Sequence, residues 1–221
     1  MRYPYIAYSP DIEIQPLFEG LKGTPLIIDM SNKGVIFEKM DVRDQCECQR
    51  RIEQLMSVGN HTWGISSYLE NRQHLLSNCP QMVKEQRFYH LGLDIIVPLG
   101  TPLHAPLAAT VEASSYEAGE GNYGGNVLLR HENSDYETFY SLYGHLNRKT
   151  LPSPGTLLRP GDTFGHIGDF CDNGNWFYHT HLQVITEKGL KQGYLSKGYC
   201  SGQDLAGMDD LCPAPLTLFR I

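Results

Sequence analysis

Residues 176–185 read WFYHTHLQVI, and this stretch predicts a β-strand because aromatic and β-branched residues dominate it. Alternate residues of a strand point to the same face, so His179 and His181 face one side together while Thr180 faces the other. The strand rise separates the two histidine Cα atoms by roughly 6–7 Å. One imidazole can therefore bind a metal ion while the other reaches a water molecule beside it.

A second pair of potential metal ligands, His90 and Asp94, stands far upstream in a His-x-x-x-Asp pattern. In a straight strand the two residues would lie about 13 Å apart, too far for one ion. A helix is disfavoured by Gly92 and by the β-branched residues at 95–97. We therefore predict a bend at Gly92, with His90 in a loop and Asp94 opening a buried strand.

A third motif is Tyr-Gly-His-Leu at 143–146, which follows the strand-like residues 138–142. Gly144 would allow a backbone or a substrate to approach His145 closely. A catalytic zinc ion takes three protein ligands, and these motifs together offer more than three. The surplus matters because zinc hydrolysis also needs a group that handles protons and a group that stabilises an oxyanion.

The order of these motifs, with a glycine-punctuated turn at 161–168 before the last one, resembles the lysostaphin-type (LytM-like) zinc endopeptidases. The similarity covers roughly residues 85–187. It implies a mainly β fold in which an antiparallel sheet surrounds a groove. The activity it implies is hydrolysis of peptide bonds, most often in the peptide cross-links of bacterial peptidoglycan.

The same resemblance assigns roles to particular side chains. It implies zinc ligands at His90, Asp94 and His181, and catalytic histidines at His145 and His179. It implies no further cofactor. Because the chain has no His-Glu-x-x-His glutamate, a histidine must act as the base, and the other histidine would stabilise the oxyanion. The sequence leaves open which of the two does which.

One departure from the family concerns the final motif. Family members commonly read His-Leu-His-Phe-Glu, whereas this chain has Thr180, Leu182 and Gln183 at the variable positions. These differences bear on substrate choice more than on chemistry. Five other histidines are expected to be ordinary surface or hydrogen-bonded residues, and three glycines are expected to form turns: His61, His74, His104, His131 and His166; Gly161, Gly165 and Gly168.

The composition describes a globular, turn-rich protein of 221 residues with 41% hydrophobic residues, 22 glycines and 13 prolines. A net charge of −7 argues against a nucleic-acid partner. No apolar run approaches the ~20 residues of a membrane span. The expected partner is a peptide or peptidoglycan substrate, and nothing in the sequence indicates an oligomeric state.

Three regions are predicted along the chain. Residues 1–84 form an N-terminal α+β extension that packs on the catalytic domain, residues 85–187 form the zinc endopeptidase domain, and residues 188–221 form a C-terminal extension. Within the first region we expect strands near 25–28 and 35–37 and a helix over 41–58. We also expect Trp63 and Tyr68 to lie beside the groove, because this region has no linker and must bury its aromatic surface.

The N-terminal sequence is broken by Pro4 and Pro10 and has no apolar signal-peptide core. This favours the cytoplasm, with a periplasmic or secreted location if a signal was removed. Free thiols are favoured over disulfides for the six cysteines. Two alternative functions remain: a cytosolic zinc hydrolase of another small peptide or amide, and a non-catalytic binding or regulatory module of the same fold.

Overall fold

The computed structural model describes residues 1–221 apart from the side chain of Val35. Its strands are β1 (Leu26–Ile27), β2 (Gly64–Ile65), β3 (Arg87–His90), β4 (Leu93–Ile96), β5 (Pro102–His104), β6 (Ala109–Glu117), β7 (Gly124–Asn133), β8 (Tyr136–Leu146), β9 (Leu157–Leu158), β10 (Thr163–His166), β11 (Thr180–Thr186) and β12 (Tyr199–Ser201). Its α-helices are α1 (Gln45–Val58), α2 (Pro80–Glu85), α3 (Glu187–Lys191) and α4 (Met208–Leu211). Short 3-10 helices, among them Val35–Phe37 and Tyr194–Ser196, connect these elements.

The strands form one eight-stranded sheet in the order β1-β2-β4-β11-β8-β7-β6-β9. Its pairings are antiparallel except for β1 with β2. Two small two-stranded sheets, β5 with β10 and β3 with β12, flank it. The prediction of a mainly β fold with an antiparallel sheet is therefore confirmed.

An apolar cluster covers one face of the large sheet. Along the central strands its members alternate with residues that point to the opposite face, because successive side chains of a strand point to opposite sides. The buried side chains on this face include Leu93, Ile95, Val127, Leu129, Tyr143, Leu182 and Val184, and they pack with Leu103 and Phe164 of the β5–β10 pair. This core fixes the register of the central strands and leaves Asp94 and His181 on the opposite face.

Two further apolar clusters flank the opposite face. On the β4 side, residues of the N-terminal region, among them Ile28, Phe37 and Ile52, pack with Ile96 and Phe177. On the β8 side, residues of the C-terminal region pack with Leu128, Leu142 and Ile185; they are Tyr194, Met208, Leu211 and Cys212. Parts of the N-terminal and of the C-terminal region therefore pack against the face of the sheet that carries Asp94 and His181.

Three predicted elements differ from the structure. The helix begins at Gln45 and not at residue 41, because Asp41 accepts the Arg43 N–H in a turn and Asp44 caps the helix by accepting from Glu47 N. Residues 35–37 form a 3-10 helix instead of a strand. The last predicted strand begins at Thr180 and not at Trp176, since the Asn173 side chain bonds both the N–H and the carbonyl of Trp176 and holds a turn.

Two other sequence features can be placed. The six cysteines are free, and Cys48, Cys200 and Cys212 are buried. Among the described residues, no helix has both the length and the apolar character that crossing a membrane requires.

Candidate metal centre

Strand register places two of the predicted ligands next to each other. His181 of β11 lies directly opposite Asp94 of β4 on one side and opposite Gly144 of β8 on the other. Directly opposed residues of paired strands share a face, so these side chains converge in the middle of the sheet. His181 is 3% exposed and Asp94 is 1% exposed.

His90 completes a group of three. It ends β3 and does not lie in a loop, which corrects the prediction, but the chain does bend between β3 and β4 as expected. His90 Nε2 lies 3.2 Å from Asp94 Oδ1 and 2.9 Å from His181 Nδ1. The three potential ligand atoms all lie within 4.8 Å of one another.

Gly92 has a different role from the one expected. Its φ is not among the positive values of the chain, so the bend does not depend on a conformation reserved for glycine. A Cβ atom at this position would instead lie 2.3 Å from Cε1 of His181, well inside contact distance. Gly92 therefore makes room for the His181 ring.

Of the three glycines predicted to form turns, only Gly161 does so with a positive φ, of +85°. Gly165 and Gly168 have no positive φ and pack against Leu146.

Hydrogen bonds on the outer side of the rings determine which nitrogen atoms face inward. His90 Nδ1 donates to the carbonyl of Ser67 at 3.1 Å, and His181 Nε2 donates to Gln183 Oε1 at 3.0 Å. In a neutral imidazole the other nitrogen then carries a lone pair. His90 Nε2 and His181 Nδ1 therefore face each other without a proton between them.

This arrangement fits a bound cation. Asp94 Oδ1, the third inward atom, is buried and accepts no hydrogen bond from any described residue. Three lone-pair atoms gathered without a donor would repel one another, and a cation removes that repulsion. Two imidazole nitrogens and one carboxylate oxygen are a ligand set that catalytic zinc sites use.

The charge states agree with this interpretation. Burial, reinforced by the Arg72 cation, lowers the pKa of His90 to about 3, so the ring is neutral at pH 7. Burial alone would raise the pKa of Asp94, but its interactions with His90 and Arg72 outweigh burial and hold that pKa well below the usual range. His90 and Asp94 are therefore already in the deprotonated forms that metal binding requires.

His179 lies at the edge of this group. It immediately precedes β11, two residues from His181, and its Nε2 is 3.7 Å from Asp94 Oδ1. Its Nδ1 donates to the carbonyl of Phe177 at 2.8 Å, which leaves the inward Nε2 with a lone pair. Burial lowers its pKa to about 4, so this imidazole is a neutral acceptor.

His145 reaches the site through an irregularity in the sheet. The β7–β8 register shifts here: Gly125 lies opposite Leu146, and Val127 lies opposite Tyr143. His145 occupies this bulge with φ +66°, a conformation that costs a non-glycine residue about 1–3 kcal/mol. A residue next to Gly144 would otherwise point to the far face of the sheet. The bulge turns the His145 ring toward His179, with ring centroids 4.3 Å apart.

The His145 ring is also oriented from outside the site. Its Nδ1 donates to the carbonyl of Asn173 at 2.8 Å, so its Nε2 is the free nitrogen. Burial lowers its pKa well below the ordinary histidine value. The structure thus brings together all five residues predicted from the sequence, with three lone-pair atoms in one cluster and two neutral histidines beside it.

Sequence reasoning missed a buried network that holds Asp94. Arg72 Nη1 donates to Asp94 Oδ2 at 2.7 Å, and Ser66 Oγ donates to the same oxygen at 3.0 Å. Arg72 also donates to Glu70 Oε2 at 2.9 Å and is only 2% exposed. These bonds occupy one carboxylate oxygen and leave Oδ1 for the inward cluster. Ser66, Glu70 and Arg72 are visible in the sequence as polar residues before His90, but the sequence does not show that they are buried.

The side chains beside the site are not the ones expected. A cavity of about 60 Å³ adjoins four of the five site residues, all but His90, and its other lining residues include Leu75, Met82, Tyr123, Trp176 and Tyr199. Trp63 instead packs on Phe219, with ring centroids 5.7 Å apart, and Tyr68 donates to the carbonyl of Cys212. The N-terminal region therefore borders the cavity through Arg72, Leu75 and Met82.

Replacing Arg72 by methionine should destabilise the metal-free protein by about 3–5 kcal/mol, because Asp94 and Glu70 would remain buried without their cation. Urea unfolding would measure this loss. Arg50→Met is the matched control: Arg50 pairs with Glu47 on the surface of α1, and its loss should change the unfolding free energy by at most about 1 kcal/mol. Equal effects of the two changes would contradict the assigned role of Arg72.

Comparison with known proteins identifies this arrangement. Residues 88–192 match the sequence profile of peptidase family M23. Over 79 residues the chain is 39% identical to the peptidoglycan DD-endopeptidase ShyC of Vibrio cholerae, a match that covers 36% of this chain and 16% of that protein. Over 81 residues it is 38% identical to an uncharacterized metalloprotease of Haemophilus influenzae, covering 36% of this chain and 15% of that protein.

Two solved structures are also similar. A zinc-containing peptidase from Vibrio cholerae shares 22% identity with a TM-score of 0.37, covering 44% of this chain and 27% of that one. The catalytic domain of lysostaphin from Staphylococcus simulans shares 22% identity with a TM-score of 0.36, covering 54% and 80%. On the family match and the curated relatives, the chain carries a metallopeptidase domain. Residues 88–192 match peptidase family M23, which confirms the resemblance of this domain to the lysostaphin-type enzymes.

Proposed function

We propose that this protein is a zinc-dependent endopeptidase that hydrolyses peptide bonds in peptidoglycan cross-links. The observation that carries the proposal is the convergence of His90 Nε2, His181 Nδ1 and Asp94 Oδ1 beside two neutral histidines. The three atoms would hold the zinc ion, and His145 and His179 would be the catalytic groups. Zinc in such a site supplies Lewis acidity, which makes water a nucleophile near neutral pH and polarises a carbonyl group.

The tautomers constrain what the two catalytic histidines can do. Both donate their Nδ1–H outward, so both Nε2 atoms are proton acceptors at rest. Either ring can therefore take the proton of the attacking water. Neither can donate a hydrogen bond to an oxyanion until it has been protonated at Nε2. The histidine that accepts the water proton thus becomes the donor that stabilises the oxyanion and later protonates the leaving amine.

The proposed substrate class rests on relatives and on the shape of the site. The curated relative with a named activity is a peptidoglycan DD-endopeptidase, although the chain spans only 16% of its length. Gly121 and Gly198 lie among the aromatic and aliphatic residues that line the cavity, and the five site residues are at most 6% exposed. A narrow site of this kind favours small side chains next to the cleaved bond, such as those of glycine and alanine.

Digestion of purified peptidoglycan tests the proposal. We expect the zinc-loaded protein to release muropeptides, which mass spectrometry would identify, and a chelator to stop the release until zinc is added back. Soluble glycine- and alanine-containing peptides should be assayed in parallel, with His181→Ala as the inactive control. Cleavage of the soluble peptides alone would favour the alternative of a hydrolase acting on small peptides. Inactivity on both substrates with zinc bound would favour a non-catalytic module.

A further inference from the structure

Gln183 connects the metal centre to the C-terminal region. It lies two residues after His181 on β11, faces the same side of the sheet and is completely buried. Its Oε1 accepts from His181 Nε2 at 3.0 Å and from the Tyr123 hydroxyl at 3.3 Å. This is the position at which lysostaphin-type enzymes commonly carry a glutamate.

The other end of the Gln183 amide faces acceptors contributed by the C-terminal region. Its Nε2 donates to the carbonyl of Lys197 at 3.2 Å, to the carbonyl of Tyr194 at 3.4 Å and to Cys212 Sγ at 3.5 Å. Burial raises the pKa of Cys212 to about 12, so its sulfur is a neutral thiol. Carbonyl oxygens accept hydrogen bonds but cannot donate them.

These contacts fix the orientation of the amide. If the amide were flipped, its oxygen would lie against two carbonyl oxygens and its NH₂ group against His181. With the nitrogen toward the carbonyls, the Gln183 oxygen can only accept from His181, so the proton of that ring must sit on Nε2. The Nδ1 lone pair then points toward Asp94 Oδ1, 3.4 Å away.

We propose that the C-terminal region, acting through Gln183, is a positioning element that selects the metal-binding tautomer of His181. The proposal rests on the function proposed above, because it takes His181 to be a zinc ligand. It also accounts for glutamine in place of glutamate. A glutamate could still accept from His181, but its other oxygen would have no proton to offer Lys197 and Tyr194 and would lie against their carbonyls.

Gln183→Met keeps the size of the side chain and removes both hydrogen-bonding ends. We expect it to weaken zinc binding about 10–100-fold, the usual effect of losing a group that orients a ligand. Competition with a chelator of known affinity, using zinc alone, measures this change. Gln45→Met is the matched control: Gln45 is also buried and bonds the Val42 carbonyl and Phe177 N, but it touches none of the three proposed ligands. That variant should bind zinc like the wild type.

Two measurements separate positioning from general support of the fold. Long-range ¹H–¹⁵N NMR of the metal-free full-length chain should show His181 protonated at Nε2 in the wild type and a mixture of tautomers in Gln183→Met. Gln183→Glu should keep the Nε2–H tautomer but increase hydrogen exchange in residues 194–212, because their amide partner is lost. The Glu variant also provides a result if the Met variant does not fold.

Wild-type zinc affinity and an unchanged tautomer in Gln183→Met would overturn the proposal, as would unchanged exchange in Gln183→Glu. A wild-type protein that binds no zinc would refute the proposed function instead. In that case the NMR measurement would still report whether Gln183 selects the tautomer, so the two failures are distinguishable.

Discussion

His181→Ala is expected to abolish zinc retention and, with it, all hydrolysis. Its Nδ1 is one of the three clustered potential ligand atoms, and catalytic zinc sites take three protein ligands. Without it, His90 and Asp94 would provide two. Metal analysis after purification without chelator should give one zinc per wild-type chain and essentially none for the variant.

A histidine far from the cluster provides the control for this measurement. His74 is exposed, and His74→Ala should retain zinc like the wild type. Full zinc content in His181→Ala would show that the proposed ligand set is wrong. A folded state for that variant, verified by circular dichroism, is needed so that metal loss is not a consequence of unfolding.

His145→Ala and His179→Ala should give the opposite combination: zinc retained and turnover reduced about 10²–10⁴-fold, the usual effect of losing a proton-transfer group. Both side chains present a free Nε2 beside the cluster, but neither belongs to the group of three ligand atoms. Metal content and turnover on a verified substrate would be measured on the same preparations.

The double variant adds a sharper test of the shared role. If the two histidines act as one proton-transfer unit, removing both should cost little more than removing the more important one. Independent, multiplying losses would indicate two separate functions. Zinc loss in either single variant, or turnover close to that of the wild type, would refute the assignment of these histidines as catalytic groups.

Local patterns were sufficient to predict part of the site. The shared face of His179 and His181 follows from the two-residue period of a strand, which depends only on neighbouring residues. The bend between His90 and Asp94 was predicted because a straight strand would hold the two residues about 13 Å apart and because Gly92 lies between them. The reason for the glycine was wrong, however, because the ring it accommodates belongs to a residue 89 positions later and no local pattern encodes that contact.

Other parts of the site depend on contacts between distant segments. The side chain of His145 points to the site only because a register shift against β7 places it in a bulge, and pairing registers are not visible in one strand's sequence. Arg72 resembles any surface arginine until its burial beside Asp94 is known. The prediction that the last strand begins at Trp176 was wrong for a similar reason: the side chain of Asn173 accepts a hydrogen bond from the Trp176 N–H and holds a turn there.

The hydrogen bonds that hold Asp94 and His90 come from outside the segment that matches the family. Residues 88–192, which match the family profile, contain all five site side chains. Yet Ser66 and Arg72, which hold Asp94, and the Ser67 carbonyl, which orients His90, lie before that segment. A fragment cut at the profile boundaries would lack the Arg72 cation beside the buried Asp94 carboxylate and the Ser67 carbonyl that accepts from His90 Nδ1. The smallest transferable unit of the proposed site therefore includes residues 66–72, and grafts or chimaeras designed from the family profile alone would transfer the proposed ligands without the groups that orient them.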